Sequence, residues 1–211
     1  LRKYEQETGN QISVASVVTS NNYQYYAESF QFLLDLGIKK LESGIDYYCS
    51  WSDEQIQGLR EQIEKVFGLY KAHIQKNQEV IFWNLWEQYL KSFLIPCPFY
   101  ACKAGLTTFG ISTKGVISPC HMLTDKNGFY MGSVDDEGLF ESESFHKIQN
   151  RLNAYNRYEN KRCQNCFANR LCIGCLGGND FRTGNPYESD PVVCSMIRGA
   201  IEELLKDITR E

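Results

Sequence analysis

The sequence has no apolar run approaching the roughly 20 residues needed to cross a bilayer, and its first residues are charged and polar rather than signal-like. It also lacks a long run of Lys or Arg and carries a formal net charge of −4, which excludes nucleic acid as the expected partner. These absences together predict a cytoplasmic protein that works on neither membranes nor nucleic acids. Disorder is excluded by what is present: 43% hydrophobic residues, with 13 Tyr, 12 Phe and three Trp. At 211 residues the chain suffices for one large domain or one and a half. Leu1 is not an initiator Met, and the chain opens on a charged segment leading into a strand, so it reads as a piece of a longer polypeptide.

Cysteine is the residue in excess. Of nine Cys, eight follow residue 95: Cys97, Cys102, Cys120, Cys163, Cys166, Cys172, Cys175 and Cys194. Four of them fall within the thirteen residues from Cys163 to Cys175, with little room for regular structure between them. Such a loop cannot bury a useful apolar core, and a metal or metal cluster is the natural replacement. Disulfides suit short secreted chains without a core, which this chain is not. Eight thiolates match two four-iron clusters or two tetrahedral zinc ions equally well, and the count does not decide. Spacing favours iron–sulfur: ligands at intervals of three and six residues can wrap one cube, with a fourth from far away. Cys194 suits that last role, in the first turn of a final helix whose free N–H groups and dipole would favour a thiolate.

The pattern along the chain changes at about Ile95. Before it, residues 11–19 read as a buried strand rich in Val and Ile, and residues 38–45 as a second one. Between them, Ser20-Asn21-Asn22 offers caps for a helix over residues 27–36, ended by Gly37. Strand, helix, strand implies a parallel βαβ unit. Ser52 and Gln55 form a capping box for a helix over residues 53–75, and the apolar run at 80–94 reads as a further helix. After the boundary the strands shorten: residues 107–112 and 116–118 predict a β-hairpin, residues 144–158 a helix, and Asp190-Pro191 the start of the final helix. The fold class expected is α/β followed by α+β, with domains at 1–95 and 96–211.

Cys102, Gly115, Cys120, then Cys163-x2-Cys166-x5-Cys172 with Cys175 and a distant Cys194 resemble the SPASM domain of radical SAM enzymes. The piece before it is similar to the last strands and helices of the partial (β/α)6 barrel that precedes SPASM there. The resemblance implies two auxiliary 4Fe-4S clusters: Cys97, Cys102, Cys120 and Cys175 would hold the first, and Cys163, Cys166, Cys172 and Cys194 the second. It also implies a peptide or protein substrate, an electron donor such as flavodoxin or ferredoxin, and, in the full-length enzyme, S-adenosylmethionine with a third 4Fe-4S cluster. Two departures stand out. Cys172 and Cys175 enclose two residues where the family usually has three, and the C-x3-C-x2-C motif that binds the S-adenosylmethionine cluster does not occur in these 211 residues. This chain alone is therefore expected to be inactive.

Within the family, sulfatase maturases tend to carry Asp after the second hairpin Cys, whereas this chain has His121. Pro119-Cys120-His121 is similar to peptide-modifying members such as thioether-forming maturases of ribosomal peptides. His121 is a candidate base, since imidazole titrates near neutrality, or a hydrogen-bond partner of a cluster. Thr19, Ser20 and Asn21 follow the C-terminal end of a strand, where parallel sheets place ligands, and are candidates for S-adenosylmethionine or substrate binding. Helix capping explains Ser20 and Asn21 as an alternative. Cys49 reads as a small buried hydrophobe rather than a ninth ligand.

Overall fold

The computed structural model describes residues 2–95 and 102–209; Cys97 lies outside the described residues. The chain forms two compact units, residues 1–95 with 195–211, and residues 96–194. The final helix is therefore divided between them, whereas the pattern of the sequence assigned it whole to the second. No helix among the described residues is long and apolar enough to cross a membrane.

The first unit begins with α1 (Arg2–Thr8) and β1 (Ser13–Val18). It continues through α2 (Tyr26–Asp35), β2 (Lys40–Ile45), α3 (Asp53–Asn77), β3 (Phe82–Trp83) and α4 (Asn84–Leu94). The strands form a parallel sheet in the order β1-β2-β3, with Val14 opposite Leu41 and Leu41 opposite Trp83. β1 is an edge strand with its side chains alternately exposed, and Val17 is 61% exposed, so it is not the fully buried strand its composition suggested.

The third strand corrects the apolar run at 80–94, which is not one helix. Ile81 and Trp83 are buried while Val80 and Phe82 are exposed, a period of two that an unbroken apolar stretch conceals. Asn84 then ends the strand by imitating it. Its Oδ1 accepts from the Ser43 N–H at 2.8 Å and its Nδ2 donates to the Ser43 carbonyl at 3.0 Å. Trp83 is the centre of this core, with edge-on contacts to Phe30 at 5.3 Å and Phe67 at 4.8 Å.

α3 starts as its capping box requires: Ser52 Oγ accepts from Gln55 N, and Gln55 Oε1 accepts from Ser52 N. Its buried stripe of Ile56, Leu59, Ile63, Val66, Phe67 and Tyr70 faces the core. Gly199 admits Arg60 closely, because a Cβ there would stand 2.6 Å from Arg60 Cγ. Arg60 also pairs with Glu202.

The second unit holds β4 (Gly110–Ile111), β5 (Val116–Ser118) and β6 (Gly132–Ser133), antiparallel in that order. The expected hairpin is present, shorter on its first strand, and its turn closes on Gly115 at φ +77°. α5 (Glu143–Asn153) is capped by Ser142, whose Oγ accepts from Phe145 N. It ends before Tyr155, so residues 157–159 form a separate 3-10 turn rather than the tail of a helix. The short helices α6 (Lys161–Gln164) and α7 (Leu176–Thr183) follow, and α8 (Pro191–Thr209) begins where Asp190-Pro191 predicted. Ala104, Ile117, Leu123, Phe129, Met131, Leu139, Phe145, Ile148, Leu152 and Leu176 make one apolar cluster.

Candidate metal centre

Six of the seven described thiols of the second unit fall into two groups, Cys194 being the seventh. Cys102, Cys120 and Cys175 share one electrostatic environment: Cys175 feels both of the others, and Cys102 feels Cys120. Cys172 likewise feels Cys163 and Cys166. All are partly buried and none is in a disulfide.

The first group is assembled by the hairpin and two turns. Gly105, at φ +72°, donates to the carbonyls of Thr108 (2.9 Å) and Pro119 (2.8 Å), and so ties the Cys102 turn to the residue before Cys120. Gly110 lets β4 press on the Cys120 turn: a Cβ there would stand 2.6 Å from the carbonyl carbon and oxygen of Cys120 and from the N of His121. Cys175 caps α7, its Sγ accepting from Gly178 N at 3.2 Å. Met122 Sδ lies 3.7 Å from Cys175 Sγ, over Gly177, where a Cβ would meet the Met122 side chain at 2.4 Å.

Burial dominates the chemistry of these thiols. It pushes Cys175 up to about 11, with the charges of Cys102 and Cys120 acting the same way, while the N–H groups of Gly178 and Gly177 pull against it. Burial also raises Cys102 and Cys120; the N–H groups of Ala104 and Leu176 oppose it at the first, and those of Leu123 and Met122 at the second. Each sulfur thus sits where backbone donors converge, an arrangement suited to the hydrogen bonds that tune a cluster's sulfurs.

The second group is built mainly from turns. Asn160 caps α6, accepting from Arg162 N at 3.0 Å, and sets Cys163 in that single turn. Cys166 N donates to Cys163 O at 3.1 Å, Cys172 N to Ala168 O at 2.7 Å, and Gly174 N to Cys172 Sγ at 3.3 Å. Cys163 Sγ lies 3.5 Å from Ser189 Oγ, beside the start of α8. Cys172 is raised by burial, against which the Gly174 N–H and the charge of Arg157 both act.

Cys194 is in the first turn of α8, but the N–H groups expected to be free there are not. The N–H groups there are already used: Asp190 Oδ1 accepts from Val192 N (2.9 Å) and Val193 N (3.0 Å), and Cys194 N donates to Asp190 O (2.9 Å). The Asp190 carboxylate, paired with Arg182 Nε at 2.8 Å, takes the place a thiolate was expected to use.

The donor set fits a cluster. Among the described residues no three His, Cys, Asp or Glu are gathered closely enough to hold a single metal ion. A four-iron cube takes one thiolate per iron and spreads them. The second loop also carries a buried Asn169 Oδ1 with no hydrogen-bond partner. Turned by half a rotation, that amide offers Nδ2, a donor suited to sulfur.

His121 opens the 3-10 turn after Cys120 and is exposed. Thr19, Ser20 and Asn21 lie in the turn after β1, but they do not cap α2, whose N-cap is Tyr25 with no side-chain bond. Asn22 Oδ1 instead accepts from Thr19 N at 2.7 Å, and Ser20 N donates to Cys49 Sγ at 3.4 Å. Arg157, Met122 and Asn169 are the residues that sequence reasoning passed over. Arg157 fell near the end of the helix expected over residues 144–158, and no periodic signal marks the others.

Residues 102–167 match the model of the SPASM domain, an iron–sulfur cluster-binding domain, and this stretch of the chain is one. The match takes in Cys102, Cys120, Cys163 and Cys166 and ends before Cys172. The fold is shared with solved structures of anSMEcpe, a radical SAM anaerobic sulfatase maturase. Against the hexahistidine-tagged enzyme with bound AdoMet the TM-score is 0.73 at 16% identity, covering 98% of this chain and 56% of that one. Against the native enzyme with bound AdoMet and the Cp18Cys peptide it is 0.71 at 15%, covering 98% and 59%. With the Kp18Cys peptide it is 0.68 at 15%, with the same coverage. The chain thus spans less than two thirds of the structures it matches, and at such identity the likeness is one of fold. No curated protein matches the chain.

Proposed function

We propose that this chain is the C-terminal portion of a radical SAM/SPASM enzyme that oxidatively modifies a peptide, in the maturation of a ribosomally made peptide. The observation that carries the reading is the sorting of six described thiols into Cys102, Cys120 and Cys175 on one side and Cys163, Cys166 and Cys172 on the other. Cys97 completes the first set and Cys194 the second, giving two auxiliary 4Fe-4S clusters. When bound, these supply one-electron transfer or an iron site for substrate. The protein's own residues hold the sulfurs in backbone N–H cradles and keep water from them by burial. Exposed His121, next to Cys120, is available to peptide as a base. Thr19, Ser20 and Asn21, at the C-terminal end of β1, would face S-adenosylmethionine or substrate in a complete barrel. The electron donor would be a flavodoxin or ferredoxin.

A second reading, an anaerobic sulfatase maturase, is favoured by the likeness to anSMEcpe, a protein solved with Cys-containing peptides bound. Anaerobic reconstitution with iron and sulfide, followed by metal analysis and Mössbauer spectroscopy, tests the cluster assignment: about eight irons per chain are expected. Two zinc ions after native purification, with no iron uptake, would sink it. Turnover of Cys-rich precursor peptides against sulfatase peptides by the longer protein separates the two enzymatic readings.

A further inference from the structure

Ser189 is buried, 8% exposed, and its Oγ lies 3.5 Å from Cys163 Sγ, within reach of a hydrogen bond to sulfur. The turn that carries Cys163 fixes this contact through two further bonds. Asn160, which caps that turn through its Oδ1, donates from Nδ2 to the Tyr187 carbonyl at 3.3 Å. Arg162, next to Cys163, donates from Nη1 to the carbonyl of Ser189 itself at 3.0 Å. The same segment is also held by α7: Asn179 Oδ1 accepts from Asp190 N at 3.3 Å, and Asn179 Nδ2 donates to the Pro186 carbonyl at 3.2 Å. Ser189 therefore places a hydroxyl, on a pinned backbone, beside one sulfur of the second group. While Cys163 is a thiol, either atom of the pair can donate. A sulfur bound to iron has given up its proton, and there the hydroxyl alone can donate.

We propose that the Ser189 hydroxyl donates a hydrogen bond to Cys163 Sγ in the second cluster and thereby raises its reduction potential. This rests on the reading that Cys163, Cys166, Cys172 and Cys194 hold a 4Fe-4S cluster. Reduction adds one electron and breaks no bond, and part of the added negative charge falls on the thiolate sulfurs. A hydrogen bond strengthens as its acceptor becomes more negative, so the donor stabilises the reduced cluster more than the oxidised one. Ser189 is thus a positioning residue that acts through Cys163 without itself being a ligand.

The test uses the whole chain, reconstituted anaerobically with iron and sulfide in a Cys102→Ala/Cys120→Ala background. That background leaves the first set too few thiols for a cluster, so the second alone is observed. Dithionite is the electron source, and the reduced signal is followed by electron paramagnetic resonance. Ser189→Ala should lower the reduced-to-oxidised ratio at a fixed potential about tenfold, a shift of about 59 mV for a one-electron couple. Ser189→Thr, which keeps the hydroxyl, should stay within about threefold of the parent on the same scale. A Ser189→Ala protein that holds its iron with an unmoved midpoint overturns the proposal, as does a Ser189→Thr protein that shifts as far as Ser189→Ala. Should Ser189→Ala fail to load iron while Ser189→Thr loads fully, the hydroxyl is what the cluster requires and the proposal stands; should Ser189→Thr fail as well, Ser189 is a packing residue and the proposal falls. Absence of iron in the parent background, with Ser189 intact, overturns the cluster reading beneath it.

Discussion

Residues 102–152 and residues 154–172 are neighbours in sequence, and both carry thiols, yet they are held together by different physics. The first stretch contributes nine of the ten side chains of the apolar cluster, and Cys102 and Cys120 pack against it. The second buries only Ala168 and Leu171 among its apolar residues, together with the Arg157 cation. Its order comes from caps by Asn156 and Asn160 and from single-turn backbone bonds, each worth about 0.5–1.5 kcal/mol net. A Leu side chain taken fully out of water contributes about 1.5–3 kcal/mol, so the first stretch has a scaffold that outlasts its metal. On the proposed reading, the second depends on its cluster for order.

Removing iron is therefore the largest expected perturbation, and it should act unequally. In hydrogen exchange, amides of 154–172 are expected to approach unfolded rates in the iron-free protein, while those of 117–123 and 145–152, and the α7 cap at Cys175, stay protected. Equal loss in both stretches would end the distinction. The converse experiment attacks the scaffold. Leu152, which is fully buried, contacts the space around Gly105. Leu152→Ala should cost about 2–5 kcal/mol in denaturant unfolding of the iron-free protein. A cost well below that would mean that the first stretch, too, relies on its metal.

The difference between the stretches also explains what could be read in the sequence. The capping box at Ser52 and Gln55, the hairpin around Gly115 and the Asp190-Pro191 helix start are local signals, and the structure follows each. Period-two burial at Ile81 and Trp83 was hidden because Val80 and Phe82 are apolar although exposed. The thiol pattern was legible because spacing survives without any contact being known. Arg157 was not legible: its burial depends on α5 stopping at Asn153, and no Gly or Pro marks that stop.

A smaller effect separates the groups themselves. In Gly110→Ala the new Cβ has no flexible neighbour to displace, since the atoms 2.6 Å away are backbone of Cys120 and His121. The Cys120 turn must move, so reconstituted protein should hold about four irons instead of about eight, and the survivors should be those of the second group. Uniform loss of iron would show that the two groups are not independent.

The smallest effect lies in pH. Cys175 has its thiol raised from an ordinary 9.0 to about 11, first by burial. In the iron-free protein the folded state then holds a proton that the unfolded chain releases earlier. The stability this contributes is complete below pH 9 and drains away as pH rises through about 11. Unfolding of the iron-free protein, followed between those values, should show a decline that Cys175→Ala reduces. The iron-loaded protein, whose sulfurs have already given up their protons to bind metal, should lack the Cys175 part of that decline. An iron-free protein as indifferent to this pH range as the loaded one would mean that Cys175 is not buried in the way its surroundings require.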